Sequence, residues 1–228
     1  MPLRSHLRSL PRGVYAILNH PSDTTPAPEA RLQAWADAGV RFVQLRTKGS
    51  EHSERMRLVQ RLGPLAESLG VALVINDDIE AAMASTAGIW GLHLGHEDYL
   101  ASQEDPSARA ALDELRRRGR GLGLSTHSLT QVSAAALIEP DYIGFGPVFP
   151  THSKSDTAPV TGVEALGRAC REYLGPVVAI GGINEERLDE IRAAGAAAVA
   201  AISALEATTT MACCAKARAL LRAWGCDS

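Results

Sequence analysis

Short runs of Val, Ile, Leu and Ala recur along the chain, each followed by a longer stretch with helical spacing of its apolar residues. The runs predict strands over residues 14–18, 42–45, 72–75, 91–94, 122–124, 142–145, 177–180 and 198–202. Between them the spacing predicts helices over 30–38, 53–69, 79–85, 106–118, 129–138, 163–173, 185–194 and 210–224. The strand segments are apolar at nearly every position, as parallel strands covered on both faces should be. Eight β-then-α units in succession predict the α/β class and a single (β/α)8 TIM barrel. An open parallel sheet of seven or eight strands is the competing arrangement. In a barrel of this kind the chemistry sits where the strands end and the βα loops begin, so polar residues just after each strand carry the functional reading.

Composition narrows the field without naming a chemistry. At 228 residues and 46% hydrophobic, the chain is long enough for one core, with an N-terminal arm at 1–12 and a barrel catalytic domain at 13–228. A net charge of −3 gives no electrostatic case for nucleic acid or an anionic membrane as partner. Cys170, Cys213, Cys214 and Cys226 lack paired zinc spacing, and the adjacent pair Cys213-Cys214 suits no internal disulfide, so reduced thiols in the cytoplasm are expected. Residues 1–12 carry three arginines but no apolar signal region, and no apolar run reaches membrane-spanning length.

After the second strand, Gln44-Leu45-Arg46-Thr47-Lys48 alternates so that Gln44, Arg46 and Lys48 share one side. Two cations and an amide at a barrel mouth suit a diphosphate, although a solvated loop with ordinary cations reads the same way. After the third strand comes Asn76-Asp77-Asp78, which either caps the next helix or supplies a carboxylate ligand. His93-Leu94-Gly95-His96-Glu97-Asp98 follows the fourth strand and brings a second carboxylate to the neighbouring mouth. Asp77 and Asp98 facing phosphates held by cations suit Mg²⁺, a hard cation that takes oxygen ligands and keeps waters. His93 and His96 lack a third ligand at zinc spacing, and His93 reads as a structural residue near a strand end.

Ser125, ending the fifth strand, is placed to hydrogen-bond a heterocycle or phosphate. No local sequence supplies the carboxylate and oxyanion hole that a Ser-His nucleophile requires. The stretch Gly146-Pro147-Val148-Phe149-Pro150-Thr151-His152-Ser153-Lys154 reads as a loop that closes over phosphate. Gly181-Gly182 after the seventh strand and Ser203 after the eighth match the usual position of a barrel phosphate site.

Taken in order, the segments 44–48, 75–77, 93–98, 125–127, 146–154, 179–183 and 202–204 resemble the thiamine-phosphate synthase family. The resemblance implies that Gln44, Leu45, Arg46, Thr47, Lys48, Asn76, Ser125 and Lys154 bind a pyrimidine diphosphate, with Arg46, Lys48, Ser125 and Lys154 catalytic. It implies Mg²⁺ on Asp77 and Asp98, and a thiazole phosphate on Thr151, His152, Ser153, Gly182, Ile202 and Ser203. The chain departs from the family's pattern at Thr47, where Glu is frequent, at His96, where Gln is common, and in a longer segment 86–90. The implied reaction is displacement of pyrophosphate by the thiazole nitrogen through a dissociative path with no covalent nucleophile. A thiazole tautomerase using His127 as acid/base, and a non-catalytic barrel sensing thiazole or thiamine phosphates, are the rival readings. Met211, Ala212, Leu220, Leu221 and Trp224 give the last helix an apolar face for the barrel or for a second copy in a homo-oligomer.

Overall fold

The computed structural model describes residues 13–20, 26–84, 86–151 and 158–226. Eight parallel strands close into a barrel in sequence order: β1 (Gly13–Asn19), β2 (Phe42–Arg46), β3 (Ala72–Asn76), β4 (Ile89–Leu94), β5 (Gly121–Thr126), β6 (Tyr142–Phe145), β7 (Val177–Ile180) and β8 (Ala198–Ala201). Closure is made by β8 pairing β1, with Gly13 opposite Ala198. The (β/α)8 expectation holds, and the open sheet is excluded by that pairing.

Around the barrel lie α1 (Pro28–Ala38), α2 (His52–Ser68), α3 (Ile79–Ala82), α4 (His96–Glu104), α5 (Pro106–Arg117), α6 (Leu129–Ile138), α7 (Gly162–Glu172), α8 (Leu188–Ala193) and α9 (Thr210–Trp224). The expected helix at 79–85 is cut to one turn, and that at 185–194 begins as a 3-10 turn, Glu185–Arg187. α4 was not expected. Of its described residues only Ser102 is buried, so it presents no apolar stripe for a sequence pattern to detect. Leu220, Leu221 and Trp224 of α9 bury against the barrel layer, whereas Met211 is 81% exposed.

Strand alternation divides the apolar residues into two layers. Val14, Ala16, Leu18, Val43 and Leu45 face outward into the layer shared with the helices. Tyr15, Ile17, Phe42, Val74, Tyr142 and Val178 face the lumen. The lumen is filled by aromatic rings meeting edge to face, with Tyr15–Phe42 centroids 4.7 Å apart and Phe42–Trp90 5.1 Å apart. Such pairs add about 0.5–1.5 kcal/mol each beyond area burial. Two glycines in β5 make room for them: a Cβ on Gly121 would sit 2.1 Å from the Trp90 ring, and one on Gly123 would sit 2.2 Å from the Tyr142 ring. A register shift between Leu73 and Val74 against β4 brings Trp90 into the strand, so β4 starts at Ile89 rather than at the expected Gly91. This aromatic plug leaves the polar ends of the strands as the accessible part of the lumen.

Candidate active site

The acidic side of the mouth is built by β3 and β4. Asp77 follows β3 with φ at 58, a left-handed conformation that few non-glycine residues adopt and that often marks a functional position. Its N–H donates to the carbonyl of His93 at 2.9 Å, which ties the turn to β4. Its Oδ1 accepts from the Gly95 N–H at 3.1 Å, and the Asn76 amide donates to its Oδ2. Asp98 reaches the same place from the first turn of α4: a Cβ on Gly95 would lie 2.4 Å from Asp98 Oδ2 and 4.0 Å from Asp77 Oδ1. Glycine at 95 therefore leaves the space in which two carboxylates approach each other. Surrounding protein raises the Asp77 pKa, and the Asp98 charge adds to this. The Gly95 N–H, the Asn76 amide and, more weakly, the Arg46 charge oppose it.

The capping question raised by Asn76-Asp77-Asp78 resolves into a division of labour. Asp78 caps α3, accepting from the Ala81 N–H at 2.8 Å, and pairs with Arg55 Nε at 2.8 Å. Asp77 is thereby left to face Asp98. Among the described residues no three His, Cys, Asp or Glu side chains gather as a metal cage. Two neighbouring carboxylates fit a hard cation that completes its shell with water and phosphate oxygens. Among the described residues they lack the third or fourth protein ligand that a zinc site draws.

The five residues of the second-strand motif separate. Gln44 is buried in the lumen, and its Nε2 donates to the Tyr15 hydroxyl at 2.8 Å. Leu45 is packed in the outer layer, so its side chain faces away from the mouth. Arg46 is half-buried at the end of β2, bonded through Nη1 to Asn19 Oδ1 at 3.3 Å. Thr47 is buried and Lys48 is exposed just past the strand.

Below the rim, polar side chains from five strands join across the lumen. The Tyr15 and Tyr142 hydroxyls lie 2.8 Å apart, Tyr142 is 2.8 Å from His93 Nδ1, and His93 Nε2 is 2.9 Å from Ser125 Oγ. Burial holds both phenols well above their ordinary pKa, so they stay protonated. His93 is buried near the end of β4 and stacks on Tyr142, with ring centroids 5.4 Å apart. Sequence reasoning missed Tyr15 and Tyr142. Both sit at lumen-facing parity on apolar strands, which is the signal that could have found them.

The opposite side of the mouth, from β6 to β8, is made of backbone. Gly181 and Gly182 have φ of 98 and 64, and Cβ atoms there would lie 2.5 Å from Pro147 and 2.6 Å from the Pro150 carbonyl. Only glycine meets both demands. The Val148 and Phe149 N–H groups donate to Ile180 and Gly181 carbonyls at 2.8 and 3.1 Å, holding the β6 loop on the end of β7. Arg187 lies over the Phe149 ring at 4.4 Å. Thr151, Gly182, Ile202 and Ser203 line one cavity here together with His127. His127 Nδ1 donates to the Gly146 carbonyl at 2.5 Å. His152, Ser153 and Lys154 lie outside the described residues.

Gln44, Asn76 and Ser125 line a second, lumen cavity with Tyr15, His93 and Tyr142. Ile180 and Ala200 belong to the walls of both cavities, so the two adjoin.

Comparison with known proteins gives the chain its relatives. The family model described as thiamine monophosphate synthase matches residues 14–205. A putative thiamine-phosphate synthase of Geobacter sulfurreducens is 40% identical over 167 residues, covering 73% of this chain and 74% of that one. A thiamine biosynthesis bifunctional protein of the same organism is 36% identical over 198 residues; the match takes in 86% of this chain but only 37% of the longer protein. Among solved structures, the thiamine phosphate pyrophosphorylase of Pyrococcus furiosus superposes with a TM-score of 0.75 at 25% identity, covering 98% of each chain.

Proposed function

Since the chain belongs to the thiamine monophosphate synthase family, we propose that it is a Mg²⁺-dependent transferase. It joins 4-amino-2-methyl-5-(diphosphooxymethyl)pyrimidine to a thiazole phosphate, giving thiamine phosphate and pyrophosphate. The observation that carries this reading is the adjacency of two unlike cavities. One is floored by Gln44, Asn76 and Ser125 beneath the acidic pair, the other is cradled by Gly182 and Ser203, and Ile180 and Ala200 stand between them.

In the reaction the bond from the pyrimidine methylene to the diphosphate oxygen breaks with its electron pair leaving on pyrophosphate, and the thiazole nitrogen supplies the pair for the new bond. No covalent intermediate with the protein is required. The task is to stabilise charge as it gathers on the leaving group and to hold the two substrates in line. Arg46 and Lys48 at the end of β2, with Lys154, bind the diphosphate oxygens. Asp77 and Asp98 would hold Mg²⁺, which would supply Lewis-acid neutralisation of phosphate charge when bound. Gln44, Asn76 and Ser125 orient the aminopyrimidine at the top of the aromatic plug. Gly182, Ile202 and Ser203, with Thr151, His152 and Ser153, receive the thiazole phosphate. The apolar wall of Ile180 and Ala200 limits the water that would capture a cationic pyrimidine methylene.

A net charge of −3 gives no electrostatic case for a polyanion as partner. Among the described residues no helix is long and apolar enough to cross a membrane. Cytoplasmic location is part of the proposal.

The test is to mix purified protein with both substrates and Mg²⁺ and to follow thiamine phosphate and pyrophosphate. Formation of both in equal amounts is expected. Isomerised thiazole carboxylate without condensation would assign the tautomerase chemistry instead, and tight binding without pyrophosphate release would assign a sensor.

A further inference from the structure

Gln44, Tyr15, Tyr142, His93 and Ser125 form an unbroken run of side-chain hydrogen bonds at 2.8, 2.8, 2.8 and 2.9 Å, crossing the lumen from β2 to β5. We propose that this run is one-way, and that Tyr142 and His93 are positioning residues that fix the Ser125 hydroxyl as a hydrogen donor toward a lone pair of the bound pyrimidine diphosphate. The identity of that ligand rests on the function proposed above; the direction of the run does not.

Counting hydrogens sets the direction. The Gln44 amide is assigned with Nε2 toward Tyr15 Oη, and in that orientation it donates to the phenol. Among the described residues the Tyr15 hydroxyl has Gln44 and Tyr142 as hydrogen-bond partners, so its one hydrogen goes to Tyr142. Tyr142 then gives its own hydrogen to His93 Nδ1, which must present a lone pair. A neutral imidazole with Nδ1 bare carries its proton on Nε2 and donates it to Ser125 Oγ. Ser125 already accepts at its oxygen, and its hydrogen is left for the cavity it lines.

The reverse direction strands the Tyr15 hydrogen at a residue 2% exposed, with no acceptor among the described residues. A buried donor left unpaired is costly, and the low polarity of the aromatic plug raises that cost. The consequence for recognition is that the Ser125 hydrogen is available to a ligand atom with a lone pair rather than spent on His93.

Nitrogen-15 NMR of imidazole-labelled, unliganded protein reads the direction without any turnover. His93 is expected as the Nε2–H tautomer in the wild type and as a mixture in Tyr142→Phe. In turnover, Tyr142→Phe is expected to lower kcat about tenfold, with KM for the thiazole phosphate within about twofold. Combining it with Ser125→Ala is expected to cost nothing beyond Ser125→Ala alone. An Nδ1–H tautomer in the wild type, or losses that multiply in the double variant, would overturn the proposal. Should Tyr142→Phe not fold, Tyr15→Phe, which removes the hydrogen delivered to Tyr142, is read in the same way. Nε2–H in a wild type that makes no thiamine phosphate would sink the functional reading and leave the one-way run intact.

Discussion

Between β2 and β4 the mouth of the barrel is made of charged side chains: Arg46 at one strand end, Asp77 and Asp98 crowding the Gly95 backbone at the next two. Between β6 and β8 it is made of main chain, with Gly181 and Gly182 in left-handed conformations that let Pro147 and Pro150 pack against them. The first side supplies charge that no backbone could provide, which is what a leaving diphosphate and a divalent cation require. The second supplies close approach that no side chain would allow, which is what a phosphate held by amide groups requires. On the proposed function the same fold position would bind two phosphate groups by opposite means, and substitutions on the two sides should fail in different ways.

The largest effect is expected on the charged side. Asp77→Ala should lower turnover by about 10²–10³-fold, the range seen when one preorganised electrostatic partner is removed. Binding of the thiazole phosphate, measured by calorimetry, should stay within about twofold. A matching loss of thiazole-phosphate affinity would erase the distinction between the two sides.

Next comes the backbone side. Gly182→Val places a β-branched residue at φ 64 with its Cβ 2.6 Å from the Pro150 carbonyl. Strain of about 1–3 kcal/mol is expected in a denaturation experiment, together with a rise of about tenfold or more in KM for the thiazole phosphate. An unchanged KM would remove Gly182 from the phosphate cradle.

Beneath both sides lies the plug they share. Gly123→Ala puts a methyl 2.2 Å from the Tyr142 ring, so a stability loss of about 1–3 kcal/mol from overpacking should be measured in urea.

The smallest effect has the opposite sign. In the absence of Mg²⁺, Asp77→Asn should stabilise the protein by about 0.5 kcal/mol after allowance for solvent screening, because it removes a carboxylate charge disfavoured first by burial and then by the neighbouring Asp98 charge. Adding Mg²⁺ should raise the melting temperature of the wild type and leave that of the variant nearly unchanged. A variant that melts earlier than the wild type without metal would contradict crowding of the two carboxylates.

The fold was legible because parallel strands buried on both faces read as unbroken apolar runs, and all eight runs became strands of the barrel. α4 escaped because a helix that buries only Ser102 among its described residues leaves no periodic trace. The strand-end polar residues could be located, since barrel geometry sends them to one rim. Which of two adjacent aspartates caps and which faces outward could not be read from sequence, because it depends on the left-handed turn at Asp77. Leu45 and Thr47 show the same limit from the other direction. Membership of a motif says nothing of which way each side chain points, and both are buried, with Leu45 in the outer layer. Tyr15 and Tyr142 were hidden among apolar neighbours, their hydroxyls meaningful only once the lumen brought them to 2.8 Å.

The central claim is that Asp77 and Asp98 act together on the leaving diphosphate. The most direct measurement is the rate of pyrophosphate release, with both substrates present, as Mg²⁺ is titrated into wild type, Asp77→Ala and Asp98→Ala. A wild-type rate that rises to saturation, with both variants slow at every concentration, is the expected result. Full wild-type turnover in the presence of a chelator, or variants that release pyrophosphate as fast as the wild type, would contradict it.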